Sequence, residues 1–188
     1  MVKSILTILL IVIVAVVVGG WSKIKQFNQL DPEAIPSYKA MFMEVLENGD
    51  PAKAMMKEYK INEDVTNEDA VESIKALAEE YNMRVTGDVK MFTKEDAKPD
   101  EVKHARIVSL CSLHIAKVFM NHSRYYSGFM PCRISLIEYG NGDRYLITMD
   151  LQLAIHGGRP LPPEMLELAT KVKTAMEEIP SRAAEGDF

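Results

Sequence analysis

The segment from Cys132 to Ile155 constrains the fold more than any other part of this 188-residue chain. Two runs rich in branched and aromatic residues, CRISLIEY and RYLITMDLQLAI, flank a Gly-Asn-Gly-Asp sequence at residues 140–143. Alternating runs joined by a short glycine-rich turn predict a β-hairpin. Because the alternation in the second run continues almost unbroken, we expect its strand to cover Tyr145–Ile155.

Helical periodicity is found on both sides of this hairpin. Residues 66–81 begin with a Thr-Asn-Glu-Asp capping pattern and carry one apolar face. Residues 113–126 and 163–179 carry similar faces, and Pro180 is expected to end the last helix. The order β-α-β-β-α-β-β-α predicts an α+β fold, a two-layer α/β sandwich behind one N-terminal transmembrane helix.

The apolar run Ile5–Gly20 predicts that transmembrane helix. It contains no charge, and a helix of that length reaches about 24–27 Å, near the ~30 Å of a hydrocarbon core. Trp21 follows where an interfacial aromatic residue belongs, and Lys23 and Lys25 can anchor in the headgroups. A cleaved signal peptide is the alternative, but no clear small-x-small cleavage site is present. We therefore expect an uncleaved anchor.

The anchor divides the chain into three parts. We expect residues 1–21 to form the transmembrane anchor, residues 22–58 a stalk with short helices, and residues 59–188 a soluble two-layer α/β domain. Positive charges on the two sides of the anchor nearly balance, so they determine the orientation only weakly. A short cationic N-terminal tail ordinarily stays in the cytoplasm, and this would place the domain outside it. The expected location is the cell inner membrane, with the domain in the periplasm.

Charge and cysteine content argue against two classes of protein. The net charge is −5 and no basic stripe is present, whereas nucleic-acid binding needs clustered Lys and Arg. Two cysteines without a Cys-x-x-Cys motif do not make a disulfide framework.

Both cysteines are thiol candidates, and the strand pattern favours a packed role for one of them. Cys132 shares the apolar face of its strand with Ile134 and Leu136, so we expect it to fill core space rather than act as a nucleophile. Cys111 ends an earlier strand. A right-handed parallel crossover through the intervening helix would keep the two cysteines apart, so no disulfide is expected.

The residues around these cysteines resemble the domain of unknown function 302 family. Cys111 and Ala116 match the family's strand-ending cysteine and helix alanine, and Met-Pro-Cys-Arg at residues 130–133 matches its second motif. Cys-Ser-Leu at residues 111–113 departs from the family's Cys-Asn-Pro. The later stretches IHGGRPLPPEM and AAEGDF resemble a membrane-anchored branch of the family.

The resemblance covers about Thr66 to Phe188. It implies a small two-layer α/β domain, usually a dimer, and it implies no established activity. Anchored members are associated with sulfur-oxidising or chemolithotrophic bacteria, which suggests a membrane redox setting.

The turn after the hairpin supplies most of the candidate ligand contacts. His156, Gly157, Gly158 and Arg159 lie at a predicted strand-to-helix turn, where backbone N–H groups and a helix N-terminus favour anions. Arg133, at the start of its strand, is the fifth candidate.

Haem b is the only cofactor that the residues suggest. His122 and His156, with methionine as a further ligand type, are candidate haem or metal ligands at a dimer interface. Covalent c-type haem is excluded because no Cys-x-x-Cys-His motif is present, and the Cys-x-x-His spacing at 111–114 belongs to no standard zinc pattern.

No Ser-His-Asp order, Gly-rich phosphate loop or His-Glu-x-x-His motif is present, so the sequence favours a non-enzymatic role. We expect a membrane-anchored extracytoplasmic binding or accessory protein, attached to a membrane redox or sulfur-oxidation system. The alternative is a haem- or metal-binding redox protein with His/Met or Cys ligands at a dimer interface. The expected partners are the membrane and either a second copy in a homodimer or a membrane protein complex, but no nucleic acid.

Overall fold

A computed structural model describes residues 25–187, and the predicted anchor lies outside this range. The sheet has five strands, β1 Met56–Lys60, β2 Arg84–Thr93, β3 Val102–Cys111, β4 Cys132–Tyr139 and β5 Arg144–Met149. Their order across the sheet is β1-β5-β4-β3-β2, with every neighbouring pair antiparallel. The mixed α/β fold and the β4–β5 hairpin are therefore confirmed. Between residues 25 and 187, no helix combines the length and the apolar character needed to cross a bilayer.

The α-helices that lie wholly within this range are α1 Ala34–Asn48, α2 Asn67–Glu80, α3 Leu113–His122, α4 Gln152–His156 and α5 Pro163–Glu185. The predicted capping box starts α2, because Thr66 Oγ1 accepts from the Asp69 N–H (3.1 Å) and the Asp69 carboxylate accepts from the Thr66 N–H (3.2 Å). Helices α2 and α5 pack together on one face of the sheet. Helices α3 and α4 lie at the end where β3 and β5 finish.

The main core lies between the sheet and the α2–α5 pair. Its fully buried large side chains are Ile74 and Leu77 of α2, Met176 and Ile179 of α5, and Val108, Leu110, Ile134, Leu136 and Leu146 of the strands. Each stabilises the fold by about 1.5–3 kcal/mol through burial. A second cluster, which includes Phe119, Ile155, Leu161 and Met165, joins α3, α4 and α5.

The strand predicted over Tyr145–Ile155 is too long. Strand β5 ends at Met149, and Gln152 begins the short helix α4. The Asp150 carboxylate accepts a hydrogen bond from the Gln152 N–H at 2.8 Å, so this side chain starts a helical turn where alternation predicted more strand.

Helix α5 continues through Pro180, where the sequence predicted its end. Proline removes one helical hydrogen bond, which usually kinks or ends a helix. Here Pro180 and the next turn, with Ala183 and Ala184, are buried against the core. Burial of this last turn outweighs the local cost, and the helix reaches Glu185.

Candidate functional site

The start of β4 lies beside the end of β3, which corrects the expected parallel crossover. Leu110 pairs directly with Cys132 across these antiparallel strands, and Cys111 is the next residue. The reason is the packing of α3, whose buried Phe119 joins the cluster at the end of the sheet instead of crossing the sheet. The two cysteines therefore lie at the same end, and both are free thiols.

Cys132 lies on the covered face of the sheet, as its alternation predicted. Its side chain packs against the main core, and Ile134 on the same face is fully buried. Burial, with a smaller contribution from the neighbouring Cys111, raises the pKa of Cys132 to about 11. Burial also raises the pKa of Cys111. At neutral pH the Cys132 thiol is therefore protonated and is a weak nucleophile.

The predicted anion-binding turn is attached to the beginning of α1. The Gly157 carbonyl accepts a hydrogen bond from Tyr38 Oη (2.9 Å), and the Gly158 carbonyl accepts one from the Asp31 N–H (2.8 Å). A Cβ at residue 157 would lie 2.4 Å from the Leu153 carbonyl oxygen, which explains this glycine without a ligand.

The two cationic candidates of this turn differ in their surroundings. Nδ1 of His156 lies 3.2 Å from the largely buried Asp31 carboxylate, although the direction does not suit a hydrogen bond. The His156 ring therefore lies beside a carboxylate of its own chain. Arg159 is exposed and has no hydrogen bond or ion pair with another residue in the 25–187 range. The ligand role of this turn stays a prediction.

The histidines proposed as metal ligands have different neighbours. His122 is exposed on the last turn of α3, with its ring centroid 6.3 Å from that of Tyr126. His156 ends α4 beside Asp31. Over residues 25–187, no group of three or more His, Cys, Asp or Glu side chains is placed to hold a metal ion.

A larger feature is the sheet face that points away from α2 and α5, here called the open face. One row of paired residues crosses all five strands on this face, from Val89 through Ile107, Ser135 and Ile147 to Glu58. The larger apolar and aromatic side chains of the open face are Met56, Val89, Phe92, Ile107, Ile137, Tyr139, Tyr145, Ile147 and Met149. All of them remain partly or largely exposed. Exposed apolar surfaces of this kind are typical of interaction sites.

Arg133 lies on the open face beside a cavity of about 260 Å³. The cavity forms because the β4–β5 pairing stops at Ile134 and Thr148, after which β5 pairs with β1 alone. Its lining is mostly apolar and includes Met149 and Met176. The Thr148 hydroxyl donates to the Arg133 carbonyl at 2.9 Å and fixes the backbone at the cavity wall.

Sequence reasoning missed the open face, although a signal for it was present. Strands β3, β4 and β5 each contain two adjacent apolar residues at the centre, which point to opposite faces. These pairs are Ile107–Val108, Leu136–Ile137 and Leu146–Ile147. Such runs are typical of strands that are covered on both faces. The described helices cover one face only.

Two features of the site follow from this geometry. Cys132 is protonated, and the open face presents apolar side chains and a cavity with Arg133 beside it.

Comparisons with known proteins agree with this fold. The model of the family "Domain of unknown function DUF302" matches residues 57–179. The crystal structure of an uncharacterized conserved protein DUF302 from Bacillus stearothermophilus is similar, with a TM-score of 0.53 and 12% identity, over 69% of this chain and 98% of that chain. At this identity the similarity shows the fold alone. A search of curated proteins finds no match. The family model covers most of the folded domain, and this chain therefore belongs to the DUF302 family.

Proposed function

We propose that this protein is a membrane-anchored, extracytoplasmic binding or accessory protein that binds its partner through the open face. The observation that carries this proposal is the open face itself, an apolar sheet surface that α2 and α5 leave uncovered. A half-covered sheet normally alternates apolar and polar side chains, so apolar residues on its second face indicate a second binding surface.

Other parts of the proposal rest on the sequence. The run Ile5–Gly20 supports the anchor, and the similarity to a membrane-anchored branch of the family supports the same topology. Attachment to a membrane redox or sulfur-oxidation system rests on the family resemblance alone.

The first partner that we propose is a second copy of this chain. Arg133 and Glu58 both project from the open face, and neither side chain has a hydrogen bond or ion pair with another residue in the range 25–187. Lys60 also lies on this face but is paired with Asp143. The opposite charges of Arg133 and Glu58 can make the face self-complementary about a two-fold axis. Arg133 of each copy would then pair with Glu58 of the other. An apolar side chain from one copy can enter the cavity beside Arg133 of the other copy.

Charge reversal tests this dimer, measured as molar mass by light scattering in a non-ionic detergent. The single change Arg133→Glu should weaken the dimer, and adding Glu58→Arg should restore it. Ile147→Glu, at the centre of the open face, should give monomers. The matched control is Leu113→Glu, which also places a carboxylate at an exposed apolar position but on α3.

Two results would contradict the proposal. A wild-type protein that is monomeric at every concentration would exclude a homodimer. Dissociation of Leu113→Glu to the same extent as Ile147→Glu would show that the open face has no special role.

One observation favours the redox alternative, a haem- or metal-binding protein with His/Met or Cys ligands at the dimer interface. Met56 and Met149 are paired neighbours on the open face, so their thioethers would lie at the interface. His122 and His156 lie on other elements, α3 and α4. An absorption spectrum of the protein purified from its native membrane tests this alternative, because bound haem gives a Soret band.

A further inference from the structure

Helix α1 carries an apolar stripe that the fold leaves uncovered. Ile35, Phe42 and Leu46 are 43%, 58% and 62% exposed. At about 100° per residue these positions fall within about 40° of one another around the helix. Tyr38 and Met43 flank them and are also exposed. The buried residues of α1 lie on its other side, toward the rest of the domain.

The position of α1 in the chain restricts what can cover this stripe. Residues 21–24 separate the apolar run Ile5–Gly20 from the first described residue, Lys25. At about 3.5 Å per residue, Lys25 therefore lies within about 17 Å of the end of that run. Residues 27–30 form a turn, in which the Leu30 N–H donates a hydrogen bond to the Phe27 carbonyl at 3.1 Å. Phe27, which lies in the chain between the apolar run and α1, is also exposed.

We propose that α1 lies on the bilayer surface, with its apolar stripe in the boundary between headgroups and acyl chains. The proposal rests on the anchor proposed above, which holds α1 next to the membrane. An amphipathic helix parallel to the surface buries its apolar side about 5–10 Å into this boundary. The anchor and α1 then provide two membrane contacts.

Lys39 favours lipid over a partner helix as the cover of this stripe. Lys39 is exposed in the middle of the stripe. Inside a helix–helix interface its ammonium group would be removed from water, whereas at a bilayer surface its long stem can lie on the apolar region while the charge reaches a phosphate. Glu44 and Glu47 lie outside the stripe, so they can face water.

This orientation also places the turn at residues 156–159 near the headgroups. The hydrogen bond from Tyr38 to the Gly157 carbonyl holds the turn against the first part of α1. The exposed Arg159 can then contact a lipid phosphate, which is the kind of anion that the turn was predicted to bind.

Fluorescence quenching by brominated lipids tests the proposal in the full-length protein. The single tryptophan, Trp21, is first replaced by Phe. A new tryptophan is then placed in the stripe as Phe42→Trp, or on the far edge of the sheet as Val89→Trp. Val89 is a matched control because it is 57% exposed and lies on β2, about 19 Å from the β1 edge.

The proteins are reconstituted into vesicles of phosphatidylcholine and phosphatidylglycerol, with bromine atoms near the headgroup end of the acyl chains. We expect the Phe42→Trp protein to show a blue-shifted emission that the bromine quenches. The tryptophan of the Val89→Trp protein lies on the open face, away from the bilayer, so its emission should not be quenched. Circular dichroism confirms that each variant is folded.

The other outcomes overturn the proposal in distinguishable ways. If the Phe42→Trp protein floats with the vesicles but its tryptophan is not quenched, the anchor is present and α1 does not lie on the bilayer. That result overturns the docking of α1 alone. Equal quenching at both positions would show non-specific adsorption. A protein that does not float with the vesicles overturns both the anchor and the docking of α1.

Discussion

Replacement of Asp88 by Asn should remove a pH-dependent part of the stability. The buried Arg106 donates two hydrogen bonds to the Asp88 carboxylate, from Nε and from the terminal guanidinium nitrogen, each at 2.7 Å. These bonds hold the pKa of Asp88 at about 2, below its ordinary value of 3.8. At about 1.4 kcal/mol per pH unit, this difference contributes about 2 kcal/mol to the free energy of unfolding. The Asp88 side chain is 23% exposed, so solvent screens the pair only partly.

The sign of the effect follows from the lowered pKa. The stabilisation is fully present above the unfolded-state pKa of about 4 and is lost as the pH falls toward 2, where the native carboxylate also binds a proton. Asp88→Asn should therefore be about 2 kcal/mol less stable than the wild type at neutral pH, and this difference should shrink below about pH 4.

Urea unfolding in a non-ionic detergent, at several pH values between about 7 and 2.5, measures this difference. Glu167→Gln is the control, because Glu167 forms an exposed pair with Lys171 on α5 and should change nothing measurable. Wild-type and Asp88→Asn stabilities that stay parallel down to the lowest pH would refute the assignment of this contribution to Asp88.

The remaining predictions concern Cys132, two glycines and the turn at residues 156–159. In a variant that lacks the other cysteine, Cys132 should react slowly with a thiol reagent at neutral pH and faster only as the pH approaches 11, and rapid labelling at pH 7 would contradict its burial. Gly140→Ala should lower the free energy of unfolding by about 1–3 kcal/mol, because its Cβ would lie 2.1 Å from a carbonyl oxygen of the loop before β3. Gly158→Ala, whose Cβ meets nothing within 4 Å, should have little effect on thermal unfolding. The double change His156→Ala and Arg159→Ala should weaken calorimetrically measured binding of inorganic phosphate while the melting temperature shifts by only a few degrees, and unchanged binding would exclude the turn as an anion site.

Local patterns in the sequence were sufficient for the parts of the fold that depend on neighbouring residues. The capping box depends on Thr66 and Asp69, which lie three residues apart. The hairpin depends on a turn and two adjacent runs, and the face of Cys132 follows from the alternation within one strand. In each case the deciding interaction is encoded within a few residues of the chain.

The direction of β4 could not be predicted in this way. A helix between two strands fits a parallel crossover and an antiparallel return equally well, because the periodicity of α3 is the same in both. The choice depends on where Phe119 is buried, and its partners Ile155 and Met165 lie far away in sequence. The prediction that Cys111 and Cys132 lie far apart was wrong for the same reason.

The open face gives the strongest link from sequence to function. Val108, Leu136 and Leu146 would alone be enough to bury the covered face of the three central strands. Their neighbours Ile107, Ile137 and Ile147 add nothing to that core, and polar residues there would have made the isolated domain more soluble at no cost to its packing. Branched apolar residues at these positions are what we would expect if the proposed partner covers the second face. Helices α2 and α5 are already fixed by the main core, so the cover that we propose is another protein surface. The opposite charges of Arg133 and Glu58 favour a second copy of the same chain.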